Sequence, residues 1–358
     1  TNGKSISNVT LNLSEFKIRI NAIYLFERLR RKTKKYIKQG DEYLVDKDTV
    51  FLVFLPATDY YYLPYFQLYQ FKNVYVDFSY VNSNLFITKL QELFSPKSPY
   101  KKYSKVRYDK TKKYVIFFDG QYALATYEFR QYLQQEYPGC QIVFHLGDLI
   151  RTKKGIDIEN IKAFADFVVT YDHNDADNYG LNYHPDAYSK LPEQLLKDEE
   201  LRHSALLFHG FARNREETII ESYDYLINNG VDCEFNVPGL SEEALLSRPE
   251  LSKSKNTPYI QYLKYVQKTD CVFEVLQKGS QGCTFRTWEA VVYNKKLLTN
   301  NPSVKDEPFY NPKFIKVFTS PEDIDIEWLK TPIQVDYNYA EKLYPEACFQ
   351  FYVNSLKK

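Results

Sequence analysis

Residues 270–300 combine a short apolar run, a small-residue loop and a helical stretch, in an order that suits anion binding. The apolar run 271–276 is typical of a buried strand. The loop 277–282 contains two glycines and a serine, which let backbone N–H groups approach a ligand closely. We expect a helix to begin at Cys283 or Thr284 and to end near Asn294, followed by a strand at 297–299. Because the first N–H groups of a helix lack partners and its dipole favours negative charge there, the loop predicts an anion site.

Glu289 adds a different chemistry about one and a half turns into that helix. A carboxylate is poorly placed for phosphate, but it accepts hydrogen bonds from sugar hydroxyls. A lone glutamate on a helix usually faces solvent, whereas Trp288 and Ala290 give this one an apolar context. The stretch therefore predicts a nucleotide site, with diphosphate at the loop and ribose at Glu289.

The segments QKGSQGCTFRTWEA (277–290) and KKLLTNN (295–301) resemble the donor site of bacterial GT-B glycosyltransferases that build capsule, exopolysaccharide or lipopolysaccharide. In retaining families of this type, two glutamates separated by seven residues mark the site. Glu289 matches the second, whereas Gln281 stands in place of the first, which leaves retaining or inverting transfer open. The likeness covers roughly residues 114–301, including 171–188 and 206–216. It implies the GT-B fold, an α/β architecture of two Rossmann-like doubly wound domains facing a central cleft.

Arg213 and Arg215 follow a predicted strand and Gly210, and arginine offers a permanent, bidentate positive charge. The resemblance implies a reaction without a metal, in which such charge stabilises the departing nucleotide diphosphate. No Asp-x-Asp motif stands in a suitable place, so we expect no metal site. The alternative is that both arginines are ordinary surface residues. The predicted donor-binding residues are Gly210, Arg213, Arg215, Lys278, Gly279, Ser280, Gln281, Gly282, Thr284, Arg286 and Glu289.

The part of the chain after Lys113 alternates between apolar strands and helices. We predict strands at 114–118, 141–146 and 167–171, and helices at 126–137 and 158–164. This alternation favours a parallel, doubly wound sheet, which binds ligands beyond the carboxyl ends of its strands. Asp119, His145 and Asp148 lie at those ends and are candidates for a catalytic base on the acceptor hydroxyl. An aspartate at a strand end also serves often as a helix N-cap, so the structural alternative stays open.

A second α/β half is predicted after a charged crossing at 189–203. Its elements are a strand at 205–209, a helix at 216–229, a strand at 233–237, a Ser/Pro/Lys-rich loop at 238–258 and a helix at 259–268. We predict an acceptor-side domain over 1–195, with 1–48 as a basic N-terminal extension, and a nucleotide-sugar domain over 196–335. Residues 336–358 are expected to form a terminal helix, which the resemblance implies crosses back to the first domain.

The net charge of +1 conceals a strong asymmetry. Residues 1–113 contain 21 Lys/Arg and 10 Asp/Glu, a balance of +11, so the remainder carries −10. A basic front suggests a polyanionic partner, and we predict peripheral contact with an anionic membrane. Nucleic acid is not expected, because no recognised binding module accompanies the two basic clusters, at 28–38 and 97–113. A solvated surface is the simpler alternative.

The five cysteines are scattered and lack the Cys-x-x-Cys spacing of zinc sites, which predicts reduced thiols and a cytoplasmic protein. No apolar run reaches about 18 residues, so no membrane span is predicted. Attachment to the inner face of a membrane would therefore be peripheral.

We interpret the sequence as a glycosyltransferase that moves sugar from a nucleotide-sugar donor, expected to be a UDP-sugar, to a saccharide or lipid-linked acceptor in surface polysaccharide biosynthesis. The nucleotide-sugar is a co-substrate, and no cofactor is predicted. Two alternatives remain open at this point. One is a GT-B nucleotide-sugar epimerase. The other is a non-catalytic GT-B partner subunit, which Gln281 in place of glutamate keeps open.

Overall fold

The computed structural model describes residues 38–39, 42–55, 69–77, 106–151, 156–251 and 257–357. Most of the predicted basic extension 1–48 and the first part of the basic cluster 97–113 lie outside these residues. None of the helices within the described ranges is long and apolar enough to cross a bilayer.

Thirteen strands are present in the described chain. In chain order they are β1 (Lys38–Gln39), β2 (Thr49–Phe54), β3 (Tyr69–Gln70), β4 (Val74–Asp77), β5 (Lys113–Asp119), β6 (Gln141–Leu146), β7 (Phe167–Thr170), β8 (Asn182–Tyr183), β9 (Ser204–His209), β10 (Cys233–Asn236), β11 (Thr269–Glu274), β12 (Lys296–Thr299) and β13 (Ile315–Val317).

Ten α-helices accompany them in the same ranges. They are α1 (Tyr127–Glu136), α2 (Ile158–Phe164), α3 (His173–Tyr179), α4 (Glu193–Leu196), α5 (Glu216–Asn228), α6 (Glu242–Ser247), α7 (Tyr259–Gln267), α8 (Phe285–Val292), α9 (Ile326–Lys330) and α10 (Pro345–Ser355).

The first sheet has the order β4-β2-β5-β6-β7-β8, and all its neighbouring strands are parallel. Parallel sheets are usually covered on both faces. Strand β5 fits this, because every residue after Lys113 is buried. Phe117 and Phe118 point to opposite faces. Phe118 stacks on Phe54, with ring centroids 4.6 Å apart, and packs among residues of α1 and α2.

The opposite face of the first sheet is covered by α10, which comes from the far end of the chain. Phe117 lies 5.0 Å from the Phe349 ring centroid and 5.5 Å from that of Tyr352, both on α10. The chain therefore returns to the first sheet after it has completed the second, although the exact domain boundaries remain predictions.

The second sheet has the order β10-β9-β11-β12-β13 and is also entirely parallel. Separate apolar clusters cover its two faces, one including residues of α7 and α8 and the other residues of α5, α6 and α9. Two parallel sheets, each covered by helices on both faces, confirm the predicted α/β class with two Rossmann-like halves.

One prediction about the second half is wrong. Residues 238–258, expected to be a loop, contain helix α6. Its N-cap is Ser241, whose hydroxyl accepts the N–H of Ala244 at 3.2 Å. Glu242 and Glu243 follow in the first turn, where carboxylates stabilise the positive end of the helix dipole.

Candidate functional site

A pocket of about 220 Å³ lies at the carboxyl edge of the second sheet. Its walls are Asn214, Arg215 and Thr218 on one side, residues 276–280 on the other, and Asn300. These segments follow β9, β11 and β12, and the order of the strands reverses between β9 and β11. Open parallel sheets bind ligands at this switch point. Four predicted donor-binding residues line the pocket, namely Arg215, Lys278, Gly279 and Ser280.

Two guanidinium groups lie close together here, that of Arg215, which lines the pocket, and that of Arg286. Their central carbons are 5.7 and 5.3 Å from the ring centroid of Phe208, within cation–π distance. Burial, together with the positive charges of Arg286 and Arg213, lowers the pKa of Arg215 to about 9, which leaves it protonated at neutral pH. The site therefore concentrates positive charge at the switch point.

Both guanidinium groups donate to backbone carbonyls. Arg215 donates to the carbonyls of Phe211 and Val275, and Arg286 donates to the carbonyl of His209. Neither arginine takes part in any of the ion pairs found in the described part of the chain. Their positive charge is therefore balanced by dipoles rather than by a bonded carboxylate, which favours binding of an anion.

Gly210 makes room for this pair of arginines. A Cβ added at Gly210 would lie 2.3 Å from one guanidinium nitrogen of Arg286 and 3.4 Å from one of Arg215. The predicted residue Arg213 is exposed in the short turn that follows, where its φ of 48° is unusual for a residue with a side chain. A side chain at position 210 would therefore displace the Arg286 guanidinium.

The loop 277–282 is a tight turn that has two sides. The N–H of Ser280 donates to the Gln277 carbonyl at 3.0 Å, and Gly279 adopts a φ of +88°. On the pocket side, the N–H of Lys278 donates to Asn214 Oδ1 at 3.4 Å. On the other side, the N–H groups of Gln281 and Gly282, which we predicted for phosphate, donate to Asp172 of the first-sheet half.

Helix α8 begins after the loop, with Thr284 as its N-cap. A fully buried carboxylate, Glu274 at the end of β11, accepts the hydroxyl hydrogens of Thr284 at 2.5 Å, Thr287 at 2.8 Å and Thr299 at 2.6 Å. It thereby ties β11, β12 and α8 together. We did not predict Glu274, although a charged residue within the apolar run 271–276 was a signal. The Thr284 hydroxyl is engaged in this network.

Glu289 is 1% exposed and is not among the residues lining the pocket. Its two carboxylate oxygens accept hydrogen bonds from Tyr259 at 3.1 Å and from Tyr262 at 2.5 Å. Burial raises the pKa of Glu289 to about 7, against the opposing effects of Arg286 and the two tyrosines. The predicted ribose contact remains a prediction, and it requires a sugar hydroxyl to compete with these tyrosines.

Two of the predicted base candidates, Asp119 and His145, meet at the carboxyl edge of the first sheet, where they are paired across β5 and β6. His145 Nδ1 lies 2.8 Å from Asp119 Oδ1, and Nε2 lies 2.9 Å from Asp186 Oδ1. Although burial lowers the pKa of His145, the bonds to the two aspartates raise it to about 10. His145 therefore lies between two carboxylates and is held in its protonated form, and its predicted role as a catalytic base remains a prediction.

Asp148 lies close to this group but bonds differently. The hydroxyl of Tyr122 donates to Asp148 Oδ2 at 3.4 Å. Asp186, which we did not predict, completes the group, and only its place in the segment 171–188 hinted at a role. Within the described ranges, no group of three or more His, Cys, Asp or Glu side chains is arranged so that it could hold a metal ion.

Comparisons with known proteins give no matching family and no matching curated protein sequence. Among solved structures, an α-glucosyltransferase in complex with UDP-glucose and DNA containing an abasic site is 11% identical, with a TM-score of 0.49, and the alignment covers 87% of this chain and 99% of that one. The catalytic domain of starch synthase IV from Arabidopsis thaliana, bound to ADP and acarbose, is 9% identical over 68% of this chain and 73% of that one, with a TM-score of 0.42. The glycosyltransferase SnogD from Streptomyces nogalater is 10% identical over 86% and 99%, with a TM-score of 0.38. At these identities the likeness concerns the fold alone.

Proposed function

We propose that the protein is a glycosyltransferase that binds the diphosphate of a nucleotide-sugar donor in the switch-point pocket of the second sheet. The observation that carries the proposal is the adjacent pair Arg215 and Arg286, held by backbone carbonyls beside a polar pocket lined by Lys278. Neighbouring like charges are costly unless an anion neutralises them. A diphosphate offers several oxygens to such a group, whereas a neutral ligand offers no compensation.

The same charge suits the chemistry of glycosyl transfer. As the bond between sugar and diphosphate breaks, negative charge grows on the leaving oxygen. Fixed cations aimed at that position stabilise the transition state more than the ground state. The arginines are held in place before the substrate arrives, so little reorganisation is required when the charge develops. This role needs no metal, and metal independence is part of the proposal.

The carboxyl edge of the first sheet supplies the acceptor side of the proposal. Asp119 retains one oxygen beyond its bond to His145, and the side chain of Asp119 is 11% exposed. A carboxylate oriented in this way is suited to accept the proton of an acceptor hydroxyl. We extend the proposal to UDP-sugar as donor and to a saccharide or lipid-linked acceptor in surface polysaccharide biosynthesis. That extension is supported by the resemblance in segments 277–290 and 295–301 and by the basic front of the chain.

The test measures binding and hydrolysis of UDP-sugars by the purified full chain, first without acceptor. Lys278→Ala is the informative variant, because Lys278 is exposed and lines the pocket. Lys313→Ala is the matched control. It also removes an exposed lysine, but it precedes β13 and so lies at the opposite end of the parallel sheet from the pocket. Loss of one charge-assisted contact should weaken donor binding by about 1.5 kcal/mol or more, roughly tenfold, in the first variant alone.

The outcomes separate the alternatives. Binding with acceptor-dependent transfer supports a transferase. Binding with no turnover on any acceptor favours the partner subunit, and interconversion of the sugar without acceptor favours the epimerase. Equal donor affinities of Lys278→Ala and wild type would show that the diphosphate does not bind in this pocket.

A further inference from the structure

The loop N–H groups that the sequence marks out for an anion are occupied by a carboxylate of the chain itself. Asp172 Oδ2 accepts the N–H of Gln281 at 2.9 Å and that of Gly282 at 3.0 Å, and it lies 3.3 Å from the Ser280 hydroxyl. The Asp172 side chain itself is 0% exposed, and its bond to the Gly282 N–H is fully buried. Burial alone would raise the pKa of Asp172, but hydrogen bonds from Gln281 and Asp175 and the nearby Arg151 lower it. The carboxylate is therefore ionised and fully engaged at neutral pH.

Two further side chains from the first-sheet side hold the same loop. Arg151 donates through one guanidinium nitrogen to the carbonyl of Gly279, and through the other to Asp175 at 2.8 Å and Asp172 at 3.3 Å. Asn174 donates to the Gly279 carbonyl at 3.3 Å. We call Arg151, Asp172 and Asn174 the loop anchor.

The approach of the two segments is close enough to require a glycine. A Cβ added at Gly282 would lie 2.3 Å from the Tyr171 carbonyl oxygen and 3.0 Å from the Cα of Asp172. Both are backbone atoms, which cannot rotate aside as a side chain can. Gly282 therefore serves the contact with the first-sheet side rather than an approach by ligand.

The loop thus lies between the donor pocket and the loop anchor. Residues 276–280 line the pocket, while the carbonyl of Gly279 and the N–H groups of Gln281 and Gly282 bind the anchor. We propose that Asp172 is a positioning residue for the donor pocket: by holding loop 277–282 it fixes the wall that carries Lys278. This inference rests on the proposed function, since it deepens the description of the same site.

The arrangement couples donor binding to the contact between the two sheets. If the loop is preformed only while Asp172 holds it, loss of the anchor adds the cost of ordering the loop to each binding event. Coupling of this kind is reciprocal, so a bound donor must in turn stabilise the contact. Typical coupling energies correspond to a change in affinity of about fivefold to 150-fold.

Asp172→Asn tests the proposal selectively. Asp172 also caps α3, where its Oδ1 accepts the N–H of Asp175 at 3.0 Å, and asparagine is an equally good N-cap. The variant keeps this cap but presents an NH₂ group to the loop N–H groups. Asp157→Asn is the matched control, because Asp157 caps α2 through the N–H of Asn160 at 3.1 Å and has no loop contact among the described residues.

Two measurements on the full chain are compared, namely hydrogen exchange of the amides at 281 and 282, and the Kd for UDP by calorimetry. For Asp172→Asn we expect exchange at both amides to accelerate about tenfold or more and the Kd to rise about fivefold or more. UDP should also slow exchange at these amides in the wild type. The control variant should change neither quantity.

Unchanged exchange in Asp172→Asn would show that the carboxylate does not hold the loop. Faster exchange with an unchanged or lower Kd would also overturn the proposal, because the pocket would then not depend on the anchor. If Asp172→Asn does not fold, the same two measurements are made on Arg151→Lys. This variant keeps the positive charge but loses the forked guanidinium that reaches the Gly279 carbonyl. A wild type that does not bind UDP refutes the proposed donor, while the exchange arm still tests the anchor.

Discussion

The buried carboxyl group of Glu289 should make the stability of the protein depend on pH in a specific window. Its pKa is raised from 4.5 to about 7 in the folded chain. Between these values the folded state holds the proton that the unfolded chain has released, so the free energy of unfolding falls as pH rises. For this group alone, the fall amounts to about 2.5 kcal/mol between pH 5 and pH 8.

Glu289→Gln removes that titration while preserving the shape and the tyrosine partners. We therefore expect the unfolding free energy of the variant, relative to wild type, to increase by about 2.5 kcal/mol from pH 5 to pH 8. Urea unfolding followed by tryptophan fluorescence measures this at both values. Glu221→Gln on α5 is the control, because it makes the same substitution at an exposed helical position.

The comparison uses the difference between variant and wild type, since other buried groups titrate in both proteins. A difference that is the same at pH 5 and pH 8 would refute the reasoning, because it would mean that Glu289 ionises at the same pH in the folded and unfolded chains. An effect of equal size in Glu221→Gln would show that the pH dependence has another source.

Three further predictions follow from the packing and the charge of the chain. Gly210→Ala should displace the Arg286 guanidinium, weakening UDP binding measured by calorimetry while leaving the melting temperature nearly unchanged, because only a flexible side chain must move. Lys296→Met should lower the free energy of unfolding, measured by urea unfolding, by about 3 kcal/mol. The reason is that the Lys296 ammonium donates to the carbonyls of Trp328, Leu329 and Thr331, which the variant leaves without this donor. Through its basic residues in 1–113, the protein should bind anionic vesicles in low salt and release them in high salt. If the protein sediments equally with anionic and neutral vesicles, this prediction is wrong.

Much of the architecture could be predicted because strands that are buried on both faces have continuous apolar runs in the sequence. The predicted strand 141–146 and helix 158–164 match β6 and α2 residue for residue. The meeting of Asp119 and His145 also followed from the pattern, since the carboxyl ends of neighbouring parallel strands lie at one edge. Helix α6 was missed because a short, capped helix in a polar segment has little apolar periodicity to reveal it.

The partners of the buried charges could not be predicted in the same way. Asp172 bonds to N–H groups that lie 109 and 110 residues away in the chain. Asp186 reaches His145 only because the chain turns back after β8. Local periodicity indicates which residues are buried, but it does not indicate which polar atoms meet across two sheets. Burial of an aspartate is tolerated only when such partners exist, so these contacts are determined by the tertiary fold.

The loop 277–282 shows how a correct chemical inference can identify the wrong occupant. Its N–H groups do bind an anion, as its glycines and the following helix predict, but the anion is the Asp172 carboxylate. Gly282 is small because the Tyr171 backbone approaches it, and Gly210 is small because Arg286 does. A phosphate therefore has to be sought on the other side of the loop, where Arg215, Arg286 and Lys278 supply cations. That division gives the two sides of one turn different tasks, since one side fixes the loop and the other faces the donor.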